Sequence, residues 1–270
     1  MLVTKSADYK TALVIGDAHA NPDVSNDRFD WLGNAILETQ PDCIIDIGDF
    51  PDMEALCSYD KGKKSFEGRS IKADFDAAND ANRKSFGAID RYNEGRAFAK
   101  KKQYNPDRVR LGGNHCEARI KRMLEASPEF IGTYGMENFE WMGDSSYINV
   151  PFLQPYEYQG TSFCHYFYKT MANGMGPASV PAMINITKKS SVQGHNHLRG
   201  FEESVRPDGS HVCGAFAGCY LDPDFMTARF AAYAGPQKKW WSGLMWLHGM
   251  KDGYFDPEFV NINEVKRRYG

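Results

Sequence analysis

The chain has 270 residues, 42% of them hydrophobic, and a formal net charge of −3. That length suits one large α/β domain, and no apolar run approaches the roughly 18 residues a membrane-spanning helix needs. Met1-Leu2-Val3-Thr4-Lys5 leaves no room for a signal peptide, and Cys43, Cys57, Cys116, Cys164, Cys213 and Cys219 form no CxxC pair. Reduced thiols and a cytoplasmic location are therefore expected.

Taken in chain order, Thr11–Ile15 and Cys43–Ile47 are short apolar runs of the kind that form buried strands. Between them, Asp30–Thr39 spaces Trp31, Ala35 and Leu37 as a helix does, and Gln40-Pro41-Asp42 stops it. The stretch from about 60 to 107 is read as a helical insertion capping the sheet. Phe75, Asn79, Asn82, Phe86, Ile89 and Phe98 recur there at near-helical spacing. Residues 60–110 carry 14 Lys and Arg against 8 Asp and Glu, which leaves the rest of the chain at −9. Lys61, Lys63, Lys64, Arg69 and Lys72, then Lys100-Lys101-Lys102, are the densest groups: a solvated helix face, or a rim that attracts polyanions. Arg108–Leu111, Ser162–Cys164 and Ser191–Gln193 are further strands. After residue 200 the pattern turns all-β, with a hairpin over Val205–Val212 around a tight Asp208-Gly209 turn and strands at Leu244–Leu247 and Phe259–Ile262. No linker or repeat divides the chain, so residues 1–270 are read as a single domain.

Five segments stand at the ends of these strands: Asp17-Ala18-His19, Gly48-Asp49, Gly113-Asn114-His115, His165, and Gly194-His195-Asn196-His197. They hold five of the seven histidines. Imidazoles mixed with carboxylates and an amide suit borderline divalent ions rather than Ca or Mg. The donors are numerous enough for two ions, and two-metal sites mostly serve phosphate-ester hydrolysis. Open α/β sheets place their sites just past the carboxyl ends of strands, where all five lie. Singly, Asp17, Asp49 and Asn114 would pass for caps or turn residues; together with the histidines they would not.

The order D-x-H, G-D, G-N-H, H, G-H-x-H resembles the calcineurin-like metallophosphoesterase superfamily over roughly residues 11–200, closest to its small phage and bacterial members. The resemblance implies an α/β fold, a four-layer αββα sandwich of two mixed sheets flanked by helices, with a dinuclear centre at the strand ends. It implies one ion on Asp17, His19 and His197, a second on Asn114, His165 and His195, and Asp49 bridging both. The ions would be Mn²⁺ first, with Fe, Zn, Co or Ni as alternatives. The nucleophile would be a metal-bridging hydroxide, and His115, rather than being a ligand, would sit over the substrate, stabilising the transition state or protonating the leaving oxygen.

Two positions depart from the family pattern. Cys116 stands where an acid usually follows G-N-H, so either Glu117, one step later, or Asp52, in a G-D-x-x-D run, would orient His115. Tyr166 replaces the usual glycine after His165, where it would narrow access or touch substrate. Arg119, Lys121 and Arg122 follow on a helix, and Arg119 is a candidate phosphate contact. Trp240-Trp241 is either a base-stacking platform or core and rim packing. The expected activity is metal-dependent phosphate-ester hydrolysis. A phosphodiesterase or nuclease acting on DNA or nucleotides is favoured over a protein or small-molecule phosphomonoesterase, and a non-catalytic scaffold is a remote alternative.

Overall fold

In the computed structural model, residues 9–168, 176–222 and 239–270 are described, the side chain of Ser65 excepted. The strands at 11–15 and 43–47 appear as β1 (Lys10–Ile15) and β2 (Cys43–Asp46). Alternate residues of β1 point in opposite directions. Leu13 and Ile15 join a core beneath the helices, while Ala12 and Val14 face the second sheet. Both faces of the strand are covered, which is why it reads as an uninterrupted apolar run. Each such buried side chain contributes roughly 1.5–3 kcal/mol.

Helix α1 (Asp27–Thr39) begins with Asp27 and Asp30 in its first turn and ends at Gln40, left-handed at φ 43°. Pro41 then prevents continuation. The 60–107 stretch contains two helices, α2 (Ile71–Ser85), capped by Ser70 accepting from Ala73 N, and α3 (Gly87–Phe98). Phe75, Phe86 and Ile89 are buried as expected, but Phe98 is 94% exposed, because α3 ends there, beyond its buried stripe of Ala88, Ile89 and Asn93. Next come β3 (Asp107–Leu111), a wide π turn at Asn114–Ala118, α4 (Arg119–Ala126), β4 (Tyr147–Val150), β5 (Tyr156–Tyr158) and β6 (Thr161–Cys164). Helix α5 (Val180–Thr187), β7 (Ser191–Gln193), β8 (Arg199–Val205), β9 (His211–Ala217), β10 (Gly243–Lys251), β11 (Tyr254–Asn261) and α6 (Ile262–Tyr269) complete the set.

The hairpin between β8 and β9 is present, but its turn is not the tight primed one. Arg206 N donates to Ser210 O and Gly209 N to Arg206 O, with only Gly209 left-handed at φ 82°, so three residues form the loop. The strand expected over Phe259–Ile262 ends at Asn261, whose side chain caps α6 by accepting from Glu264 N.

Two mixed sheets result, a six-stranded one in the order β11-β10-β1-β2-β3-β4 and a five-stranded one in the order β5-β6-β7-β9-β8. The strands β1, β2 and β3 run parallel, as do β6, β7 and β9. Their inner faces share one core containing Ile45, Val109, Phe163, Val192 and Met245. A second core lies between the six-stranded sheet and α1, α2, α3 and α6, and a third between the other sheet and α5. The layering is that of an α/β sandwich. Among the described residues no helix is long and apolar enough to cross a membrane.

Candidate metal centre

The loops after the parallel strands are tied to one another by their backbones. His19 N donates to Asp49 O (2.9 Å), Ala20 N to Phe50 O (2.7 Å) and Asp52 N to Ala20 O (3.0 Å). Within the five-stranded sheet Gly194 N donates to His165 O, and between the two sheets Tyr220 N donates to Asp17 O and Trp241 N to His197 O. His19, Asp49, Met53, His195 and His197 all hold left-handed backbone, between φ 45° and φ 67°. For residues with a Cβ that conformation is costly and persists only where surrounding bonds enforce it. The glycine before Asn114 has a steric reason: a Cβ on Gly113 would lie 2.0 Å from Asp49 Oδ1.

Three groups of ligand atoms lie within 4.8 Å of one another: Asp17, Asp49, His165 and His195; Asp17, His19 and His197; and His19, Asp49 and His115. Asn114 joins the first, its Oδ1 2.9 Å from His165 Nε2. His165 Nδ1–H donates to Ile47 O (3.1 Å), so Nε2 turns toward Asn114 and toward Asp49 Oδ2 at 3.3 Å. His197 Nε2 lies 3.2 Å from His19 Nε2 and 3.1 Å from Asp17 Oδ2. Imidazole nitrogens and carboxylate oxygens thus converge at two neighbouring points, the kind of arrangement that can hold a cation. These buried His/Asp clusters could hold metal ions. All seven residues expected as ligands, Asp17, His19, Asp49, Asn114, His165, His195 and His197, fall within them.

Charge is strongly perturbed here. Burial alone would raise the Asp17 carboxyl; His165 and His197 outweigh it and hold the group at about 2. Asp49 is likewise held well below the carboxylate range, chiefly by His165 and His115 against its burial. Burial opposes a charge on His165, yet Asp49 and Asp17 push it up to about 9, whereas burial and the charge of His165 bring His195 down to about 4.

His115 Nδ1–H donates to Asp52 Oδ1 at 2.8 Å, and its ring centroid lies 4.4 Å from that of His19. Asp52 is therefore the residue that orients His115. Glu117 does not reach it: its Oε2 accepts from Phe152 N (2.8 Å) and its Oε1 pairs with Lys121 (2.5 Å). The π turn accounts for this, because its extra residue per turn swings Glu117 toward Phe152. Arg119 donates through Nη1 to Asp52 O (2.7 Å) and through Nη2 toward His115 Nε2 (3.3 Å). Tyr166 is not among the described residues that line the site's cavity. It is buried, with its ring 4.5 Å from that of His195.

Asp17, His19, Asp49, His115, His195 and His197 open into one cavity of about 340 Å³, walled further by Asp52, Glu54, Asp60, Cys57, Arg119, Leu221 and Trp240. The Trp240 ring stands edge-on to His197 at 4.2 Å. Sequence reasoning passed over Asn21, which is fully buried and donates from Nδ2 to Asp52 Oδ2 (2.8 Å) and Glu54 Oε2 (2.9 Å). Its only signal was its place two residues after His19.

The basic rim divides in two. Exposed Lys61, Lys63 and Lys64 directly follow Asp60 at the cavity, and Arg69 bridges Glu54 and Asp60. Lys100–Lys102, by contrast, precede β3 at its amino end, where Lys102 borders a groove with Gln40, Asp42 and Tyr158. They lie at the end of the sheet opposite the metal ligands, because the chain must return there to start a parallel strand. His211 and His248 pair with Glu203 and Glu258 on the surface. All six cysteines are free thiols, five of them buried. No protein-family model and no curated protein sequence matches the chain.

Proposed function

We propose that the chain is a dinuclear-metal-dependent phosphoesterase, favoured as a phosphodiesterase or nuclease. One observation carries the reading: two adjoining His/carboxylate clusters share a cavity with an Asp52-oriented His115 and with Arg119. One ion would be held by Asp17, His19 and His197, another by Asn114, His165 and His195, with Asp49 between them. Such ions, when bound, polarise a phosphoryl oxygen and acidify water toward neutral pH.

The protein's own groups do the rest. Among the described residues five carboxylates line the cavity against one guanidinium, so phosphate is admitted only once cations have neutralised them. Arg119 then serves as the fixed donor for a phosphate oxygen, its other N–H bonds anchored on Asp52 O and Met53 O. In the resting arrangement His115 donates from Nδ1 and accepts at Nε2. A phosphate that draws the Arg119 N–H away leaves Nε2 to take a proton from water and pass it to the leaving oxygen. Asp52 steadies the imidazolium formed; His115 and His19 overcome its burial and keep it far below the ordinary carboxylate range. One guanidinium amid so many carboxylates supports a singly charged diester over a doubly charged monoester.

The test is a panel with Mn²⁺ present: bis-p-nitrophenyl phosphate, p-nitrophenyl phosphate, a phosphopeptide, cyclic nucleotides, and single- and double-stranded DNA. Diester cleavage exceeding monoester cleavage is expected. Turnover of the monoester or phosphopeptide alone would replace the diester reading, and metal-loaded protein inert on the whole panel would overturn the activity.

A further inference from the structure

We infer that Asn21 is a positioning residue that acts through Asp52 on the proton-donating His115. This inference rests on the phosphoesterase reading. Asn21 is not one of the seven residues expected as metal ligands. Its side chain is fully buried, and its Oδ1 accepts from Asp23 N at 2.9 Å. That bond fixes the amide orientation, since the amino end has no lone pair to offer a backbone N–H. Both Nδ2 hydrogens must therefore point the other way, and both are used: Asp52 Oδ2 at 2.8 Å and Glu54 Oε2 at 2.9 Å.

The two oxygens of Asp52 consequently have separate duties. Oδ2 takes the Asn21 bond, and Oδ1, 2.8 Å from His115 Nδ1, sets the imidazole's direction. A carboxylate held at one oxygen cannot rotate about χ2 without breaking that bond, so Asn21 restrains where Oδ1 points, alongside His19 Nδ1 at 3.5 Å from the same oxygen. The amide also holds together two acids that would otherwise repel. Asp52 and Glu54 each receive one of its N–H groups, while Arg69 pairs with Glu54 from the far side. The chain itself delivers Asn21 to this place, because the neighbouring Ala20 is bonded through both N and O to Phe50 and Asp52. With Asn21 truncated, Oδ2 loses that bond, and the carboxylate's rotation is left to the contacts of Oδ1 with His115, His19 and Arg119, so the aim of His115 loosens.

A positioning role differs from a general packing role in its dependence on the leaving group. A leaving oxygen of low pKa departs without a proton; an alkoxide does not. Mn²⁺-loaded Asn21→Ala and wild type are compared on diesters whose leaving groups range from p-nitrophenol to a simple alcohol. The expected loss in kcat is up to about 10-fold for the nitrophenyl ester and on the order of 10²–10³-fold for the alkyl ester. KM and metal content should stay within about twofold. In an Asp52→Ala background the same substitution should add less than about threefold, because two residues acting in series are not additive. Asn21→Ser, which keeps one donor, should fall between and serves if Asn21→Ala does not fold.

A readout independent of turnover is the downfield imidazole proton of His115 Nδ1 in the metal-free protein's NMR spectrum. It should be present in wild type and lost in Asn21→Ala. Equal losses across all leaving groups, full additivity with Asp52→Ala, or an unchanged imidazole proton would each overturn the role of Asn21. A wild type that holds its metals but hydrolyses none of these esters would instead overturn the phosphoesterase reading, and the NMR comparison would still decide whether Asn21 sets His115.

Discussion

Beneath the ligands, Arg110 and Asp46 form an ion pair whose removal has a calculable signature. The Arg110 Nη1–Asp46 Oδ2 distance is 2.9 Å, and both side chains are almost fully buried. The guanidinium lies 4.0–4.3 Å from the ring centres of Phe50, Phe86 and Trp141, and it also donates to Asn82 Oδ1. Asp46 Oδ1 accepts from Gly48 N, fixing the turn that presents Asp49. In Arg110→Met the aromatic cage keeps an apolar occupant, but Asp46 is left buried without its partner. It can escape by binding a proton. Burial already raises this carboxyl from an ordinary 3.8 to about 6 with Arg110 in place, and losing Arg110 raises it further.

Protonating a group that ionises at 3.8 in the unfolded chain costs about 1.4 kcal/mol per pH unit above that value. Wild type already holds this proton up to about pH 6, so the extra cost to the variant is that of the pH units above 6: about 2 kcal/mol at pH 7.5 and close to none at pH 5. Between the two, the folded variant holds a proton that the unfolded chain has released, so its stability must fall as pH rises. Urea denaturation of the chelator-treated protein is expected to give a deficit larger at pH 7.5 than at pH 5 by up to about 2 kcal/mol. Adding Asp46→Asn should flatten the pH dependence. A deficit below about 1 kcal/mol at pH 7.5, or one equal at both pH values, would refute the reasoning.

Three other outcomes are expected. Wild type should gain thermal stability with Mn²⁺ and lose it with a chelator, about 2.7 kcal/mol at a free ion concentration of 100 Kd, and Asp49→Ala should abolish the gain and both ions by mass spectrometry. His115→Ala should keep its metals while turnover drops by about 10²–10⁴-fold, Asp52→Asn should approach that loss, and Glu117→Gln, which faces Phe152 N, should cost far less; a metal-depleted His115→Ala would make His115 a ligand. If DNA is cleaved, replacing Lys61, Lys63 and Lys64 by alanine should weaken binding and flatten its salt dependence, whereas the same change at Lys100–Lys102 should leave it unaltered, with filter binding at graded salt as the measurement.

How much of this was legible beforehand depended on burial. The strands β1, β2 and β3 were visible because both faces are covered and every position is apolar or paired. The edge strands β4 and β5 are half exposed and only three or four residues long, so they carry no period. Asn261 and Glu264 hold a capping pattern for α6, but an apolar run that crossed the strand–helix boundary concealed it. At the site, the residues that cluster were legible because their histidines and carboxylates all fall at strand ends. Their support was not. Spacing could not choose between Asp52 and Glu117, since one π turn reverses the answer, and Asn21 resembles any turn asparagine until its two carboxylate partners are seen.

Strain and charge coincide in this structure. Of eleven left-handed non-glycine residues among those described, five stand in the loops of the metal centre. Each costs of order 1 kcal/mol, and their loops also bury Asp17, Asp49 and Asp52. His195 and His197 show what the strain achieves. Both are left-handed and separated by Asn196, whose Oδ1 accepts from Leu198 N, so the chain presents two imidazoles to one cavity within three residues. A relaxed extended segment would reach no further into the cavity, and a helix would turn the second ring away by about 200°. A fold that accepts both penalties at the same residues brings together His/Asp clusters that could hold a cation, and the bonds from Asn21 and Arg110 tie that arrangement in place.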